Sequence, residues 1–322
     1  MKFAILGAGH IANALAAAVK ELDGVESYAV ASRSYEKARD FADKWGFQKA
    51  YGSYEEMLQD PEVDLVYVAT PHSHHYMHAK MCLNFDKPVL VEKAFTVNAA
   101  QAQELIDLAH ERNLFMAEAM WTRYMPSRKI IQDVLSSGII GTPSSITANF
   151  GFDLRRKERM CNPKLAGGAL LDLGVYPLTF ALMYFPEQIR EIHSSAVLSD
   201  KGVDLMHNIT LLYENGKMAD LHSNMTAALE CQGAIYGDKG YLVVKGMNNV
   251  THISAYGEKQ KWIADYPIPA QINGYEYEVL ACKKALENGW TECPEMPLSE
   301  TLRVMKILDE IRRQWNMKFP CE

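Results

Sequence analysis

Apolar positions in the first 120 residues fall in short unbroken runs, separated by stretches with helical spacing or turn chemistry. The runs at 2–6, 27–31, 63–69, 87–91 and 114–118 are the size of strands buried on both faces. Between them, 11–20, 35–46, 54–59 and 99–112 read as helices, so strand and helix alternate and a parallel sheet is predicted. A further helix over 127–137 ends at Gly138 and Gly141. From residue 144 the period changes to two. Strand-like runs follow at 144–153, 191–197, 208–213, 218–225, 233–236, 240–244, 252–256 and 260–264, with hairpin signals at 214–217 and 237–240. A helix over 169–184 separates the first two of these runs, and helices over 275–288 and 299–314 close the chain. The expected fold is α/β, with a domain over 1–119 built on a parallel sheet. An α+β domain with a large, open, mostly antiparallel sheet is expected over 120–322.

The junctions between elements carry the chemistry. After the first run, Gly7, Gly9 and Ala12 form G-x-G-x-x-A, followed at once by a helix. Gly7 permits the turn, Gly9 lets backbone approach a pyrophosphate, and Ala12 allows close helix–strand packing. The amides around His10 and Ile11 open the helix toward an anion. This predicts a Rossmann dinucleotide site. An NAD-preferring site usually has Asp or Glu at the end of the second strand, where this chain reads Ala31-Ser32-Arg33-Ser34. Arg33 suits a 2′-phosphate, Ser32 and Ser34 add hydroxyls, and Ser34 also suits a helix cap. The cofactor reading is NADP, with NAD possible.

Thr70-Pro71 ends the next strand, and His72, His74, His75 and His78 follow. His74 and His78 have an i,i+4 metal spacing, but no third ligand lies near in sequence, so no metal is expected. A ligand or substrate contact suits these histidines better, with solvated helix-start residues as the plain alternative. Glu92-Lys93 ends the strand over 87–91, where open parallel sheets bind ligands. Lys93 there is suited to hold a substrate hydroxyl and help move its proton. Asp172 and Tyr176 are spaced i,i+4 on one predicted helix. A phenol, with a pKa near ~10, needs a cation to take part in proton transfer at neutral pH, and Lys93 is the obvious one.

Composition excludes more than it identifies. With 322 residues, 48% hydrophobic and 23% charged, the chain has the makeup of an ordinary soluble protein. A formal net charge of −7 argues against nucleic acid or an anionic membrane as partner. No window is expected to approach a membrane span, and the chain enters a strand at once rather than a leader, so a cytoplasmic location is expected. The six cysteines are scattered and without C-x-x-C, which reads as reduced thiols.

In order and spacing, G-x-G-x-x-A, Thr70-Pro71-x-x-x-His75 and Glu92-Lys93 resemble the glucose–fructose oxidoreductase and inositol dehydrogenase family, Gfo/Idh/MocA. Most members continue Glu-Lys-Pro, where this chain has Ala94. The stretch 118–126, with Trp121 and Arg123, and the stretch 167–177, with Asp172 and Tyr176, resemble a narrower branch that contains dimeric dihydrodiol dehydrogenase and NADP-dependent D-xylose dehydrogenase. Inositol dehydrogenase-like members have His where Tyr176 stands. The resemblance implies a dehydrogenase acting on a CH–OH group of a sugar, polyol or cyclic trans-diol, with Lys93 and Tyr176 in proton transfer and Asp172 orienting. It also implies cofactor contacts at Thr70, Pro71, His75, Glu92 and Lys93. Trp121, Phe150, Arg123 and Arg155 are expected as pocket wall, the closing helices are expected to return to the first domain, and two copies are expected to pair through the open sheet. A non-catalytic nucleotide-binding sensor and a glycosidase with transient cofactor redox are the alternatives. Retention of Glu92, Lys93, Asp172 and Tyr176 argues against the sensor.

Overall fold

The apolar runs of the first third become β1 (Lys2–Leu6), β2 (Glu26–Ala31), β3 (Lys49–Tyr51), β4 (Leu65–Val68), β5 (Val89–Glu92) and β6 (Met116–Ala119). They pair in parallel in the order β3-β2-β1-β4-β5-β6. Helices α1 (His10–Val19), α2 (Tyr35–Trp45), α3 (Tyr54–Leu58), α4 (His72–Asn84) and α5 (Ala99–Glu111) connect them. Strand order reverses on either side of β1, so the crevice of an open parallel sheet lies at the carboxyl ends of β1 and β4. The short edge strand β3 was not predicted. Three residues, Lys-Ala-Tyr, carry no periodicity.

The computed structural model describes residues 1–322. By packing, the chain forms two units, Met1–Tyr124 with Gln271–Met305, and Met125–Ala270 with Lys306–Glu322.

The second unit opens with α6 (Pro126–Ser136) and β7 (Pro143–Gly151), then α7 (Glu158–Cys161), a π turn (Leu170–Gly174) and α8 (Val175–Tyr184). The sheet is completed by β8 (Ile189–Leu198), β9 (Asp204–Tyr213), β10 (Met218–Asn224), β11 (Gln232–Gly237), β12 (Gly240–Lys245), β13 (His252–Gly257) and β14 (Trp262–Tyr266). Its order is β14-β13-β12-β11-β7-β10-β9-β8, antiparallel except for the β7–β10 pair. The chain closes with α9 (Glu276–Glu287) and α10 (Leu298–Gln314).

One face of this sheet packs on α8. Gly233 lies directly under Phe180, and a Cβ there would stand 2.5 Å from the ring. The other face stays open. Thr147, Asn149, Asn208, Thr210, Asp220 and His222 line a shallow hollow on it. Tyr236, Tyr241 and Tyr256 form a cross-strand row on it, with ring centroids 5.7 and 5.0 Å apart.

Two expectations need correction. Residues 163–184 are long and apolar enough, with a mean hydropathy of 1.5, to pass for a membrane span. An 18-residue window of that stretch is 94% buried in the fold, because α8 and the π turn form the core layer under the sheet. The helix expected over 169–184 is also not uniform, since Leu170–Gly174 is a π turn and regular α geometry begins only at Val175. All six cysteines are free thiols.

Candidate active site

In the first unit, Gly7 sits at φ +106, a region that favours glycine, and a Cβ on it would meet Thr70 Cγ2 at 3.0 Å. The turn therefore closes tightly between the ends of β1 and β4. Gly9 caps α1 with no side-chain hydrogen bond, and no acid stands in the first turn, so the opening amides and the positive helix end are left for an anion. Gly9 and His10 are exposed, Ile11 is half-buried and Ala12 is fully buried against the sheet. These residues fit a dinucleotide pyrophosphate.

At the end of β2, Ser32 is buried, Arg33 is exposed and Ser34 caps α2, accepting from Lys37 N at 3.4 Å. The Ser34 hydroxyl also donates to Glu36 Oε2 at 2.8 Å. Arg33 helps to depress the proton affinity of His74 and of His78, although burial is the larger cause for both. His78 falls to about 4; its ring stacks on His74 and its Nδ1 lies 3.0 Å from the Thr70 hydroxyl. No group of three or more His, Cys, Asp or Glu is arranged to hold a metal ion.

His75 lies inside the fold, with Nδ1 2.8 Å from Ala94 O and Nε2 2.7 Å from Thr70 O. Burial pushes its pKa down to about 4. Its ring ties the turn after β4 to the segment after Lys93.

Glu92 is buried, accepting from the Tyr67 hydroxyl and from Lys93 N at 3.1 Å. Lys93 is half-buried at the carboxyl end of β5, and the Lys93–Ala94 peptide is cis although residue 94 is not proline. Two further carboxyls lie in this core. Glu118 is raised to about 7 by burial and by Glu92, against the pull of Thr301 and Arg123. Glu278 is raised well above the usual carboxylate range by burial, then by Glu92. Tyr67 and Glu278 gave no signal in the sequence, because each lies in an apolar run or an ordinary helix.

Trp121 stacks on Tyr275 at 4.2 Å, nearly parallel. Arg123, expected as charged pocket wall, is buried: Nε donates to Glu295 O at 3.0 Å and Nη1 pairs with Glu300 at 3.3 Å. Both partners lie more than 170 positions along the chain, where spacing arguments do not reach.

In the second unit, Asp172 is buried and pairs with Arg159 Nη2 at 3.0 Å. Tyr176 is buried against Phe150, with ring centroids 5.0 Å apart. Arg155 is exposed and forked onto Asp153 at 2.9 and 2.8 Å, so its charge is turned to a neighbour in its own loop. Arg159 gave no signal in the sequence, standing in a run of charges, Arg155-Arg-Lys-Glu-Arg159, where nothing marks one arginine as the partner of a carboxylate 13 positions on.

A family described as an oxidoreductase family with an NAD-binding Rossmann fold matches residues 1–119, and the GFO/IDH/MocA C-terminal domain matches 129–243. The chain is 36% identical to trans-1,2-dihydrobenzene-1,2-diol dehydrogenase of Xenopus tropicalis, over 99% of both chains. It is 33% identical to the Homo sapiens protein of that name, over 99% of this chain and 98% of that one. Among solved structures, KijD10, a 3-ketoreductase from Actinomadura kijaniata in complex with NADP and TDP-benzene, superposes with a TM-score of 0.88 at 25% identity, over 97% of each chain.

Proposed function

The chain belongs to the Gfo/Idh/MocA oxidoreductase family, and from that premise we propose that it is an NADP-dependent dehydrogenase acting on the carbinol carbon of a sugar, polyol or cyclic trans-diol. The observation that carries this reading is Lys93. It stands at the carboxyl end of a buried parallel strand, its flanking backbone fixed on one side by Glu92 and Tyr67 and on the other by the His75–Ala94 contact. A lysine rooted in backbone held on both sides suits a group that must meet one hydroxyl.

When bound, the nicotinamide cofactor carries the hydride. The chain's own residues bind, orient and move the proton. Gly7, Gly9 and the first amides of α1 hold the pyrophosphate, and Arg33 with Ser32 and Ser34 holds the 2′-phosphate. Glu36 must release the Ser34 hydroxyl for that bond to form. Lys93 holds the substrate hydroxyl, Tyr176 exchanges its proton, and Asp172 orients the substrate. Trp121 and Phe150 form apolar wall. Two copies pair through the open face of the second unit's sheet, where half-buried aromatic and polar residues share one surface.

The test is a panel of aldoses, inositols and trans-diols assayed with NAD and NADP in parallel, run alongside Lys93→Met. The reading requires stoichiometric NADPH formation from at least one substrate, and loss of about 1,000-fold in kcat for the variant with NADP binding retained. Near-normal turnover by Lys93→Met would sink it. A sedimentation run that gives only monomer refutes the pairing.

A further inference from the structure

We propose that Asp204 and His207, which lie in β9 and away from the solvent, are positioning residues that lock the π turn Leu170–Gly174 and so set where Asp172 and Tyr176 point. This rests on the roles proposed above for Asp172 and Tyr176.

A π turn holds one residue more than an α turn and persists only where something fixes it, which is why such turns concentrate at functional sites. Here both ends of the turn are fixed by the same pair. Asp204 Oδ2 accepts the Leu170 N–H at 2.9 Å and meets His207 Nδ1 at the same distance. The Asp204 side chain is wholly buried and the His207 ring nearly so. Because His207 donates from Nδ1 to a carboxylate, a neutral ring leaves Nε2 as a bare acceptor. Nε2 has no hydrogen-bond partner, and it faces the last residue of the turn: a Cβ on Gly174 would lie 2.6 Å from it. The second oxygen of Asp204 is also unpartnered and faces the approach to the turn, where a Cβ on Gly168 would lie 2.2 Å away. Two glycines thus bracket the turn, each where one member of the pair presses on it. Gly168 sits at φ +118, a backbone conformation that glycine tolerates. On its far side the His207 ring rests against Trp315, with ring centroids 5.3 Å apart.

Ser223 stands opposite His207 in the β9–β10 register, which raises a Ser-His-Asp reading. The geometry rejects it. Neither Ser223 Oγ nor His207 Nε2 finds a hydrogen-bond partner, and both are buried. What remains is an acceptor aimed at one amide and a flat ring packed on one glycine.

The consequence for the site is angular. Asp172 lies inside the turn, and Tyr176 lies just after it on α8, which is anchored by the sheet. Collapse of the π turn to α geometry removes one residue from it, swinging the chain before α8 by about 100° relative to the helix. Asp172 would then no longer hold its present position relative to Tyr176.

The experiment uses full-length Asp204→Ala, Asp204→Asn and Gly174→Ala. Turnover is read with NADP and either trans-1,2-dihydrobenzene-1,2-diol or D-xylose, and hydrogen exchange is read on the segment 166–178. Asparagine can supply the same double acceptor, so Asp204→Asn keeps kcat within about threefold. Asp204→Ala and Gly174→Ala lose about 100-fold in kcat with KM for NADP unchanged, the size expected when a reacting group is displaced by an ångström or so. Exchange at the Leu170 amide rises roughly tenfold in Asp204→Ala, as loss of one hydrogen bond requires. The proposal is overturned if Asp204→Ala keeps wild-type turnover and Leu170 protection, or if Asp204→Asn loses as much as alanine. Should Asp204→Ala not fold, Gly174→Ala decides: wild-type turnover and exchange there overturn it equally. If Tyr176→Phe and Asp172→Asn leave kcat unchanged, the functional reading has failed, and the exchange data alone judge the lock.

Discussion

β4 and β5 bury every residue, and the parallel sheet they belong to has helices packed against it. β8 and β14 keep most of their residues half-buried or exposed, and their sheet has one open face. The difference decides where chemistry can stand. A strand sealed on both faces is open to a ligand only at its end, and Gly7, Thr70 and Lys93 all lie at or just past the ends of β1, β4 and β5. In the second unit the sheet is a platform, and Asp172 and Tyr176 are presented by the irregular turn and helix packed on its covered face.

The contrast breaks first on stability. Val66→Asp puts a carboxylate at a fully buried position of β4 and is expected to cost about 4 kcal/mol or more, enough to deprive the first unit of its fold. Loss of less than about 1 kcal/mol in urea unfolding would show that β4 is not sealed as described.

A smaller effect sharpens the same point through pH. Burial raises Glu118 to about 7 in the folded chain, from an ordinary value of 4.5. The folded state therefore keeps a proton that the unfolded chain releases. Its contribution is complete below the ordinary value and fades as pH rises toward 7, by on the order of 3 kcal/mol. Glu118→Gln should remove that slope between pH 4.5 and 7, measured as the difference in unfolding free energy between variant and parent. An unchanged slope contradicts the burial assignment.

Next comes Arg33→Ala. It should weaken NADP by about 10- to 30-fold, the size of a lost charge-assisted phosphate contact, and leave NAD unaffected. Equal loss for both cofactors would remove Arg33 from the 2′-phosphate. The smallest effect belongs to the open sheet: Ser195→Lys, on exposed β8, should change monomer stability by no more than about 0.5 kcal/mol. A cost like that of Val66→Asp would abolish the distinction between the two sheets.

The parallel strands were legible because burial on both faces writes an apolar run, and boundaries such as those of β1 and β2 fall within a residue of expectation. The alternation of β9 and β10 was legible for the opposite reason, one face wet and one dry. The π turn was not. Residues 170–184 are apolar on all sides, so no periodicity distinguishes five residues of π geometry from α. Nor was the burial of Arg123 legible, since Glu300 reaches it across 177 positions. The Asp204–His207 pair was hidden likewise, its target being an amide 34 residues earlier.

The segment Gln271–Met305 has a consequence for how the protein is made. It supplies Thr291 O to the amide of Met116 on edge strand β6, Tyr275 to Trp121, the Asn273 side chain to Ala14 O, and Glu300 to Arg123. A ribosome must therefore make residues 125–305 before the first unit can be finished, a wait of roughly 9–36 s at about 5–20 residues per second. Throughout that interval β6 presents an uncapped edge and Arg123 lacks its carboxylate. Until Gln271–Met305 emerges, the nascent first unit stays open at the edge most prone to pair with a neighbour.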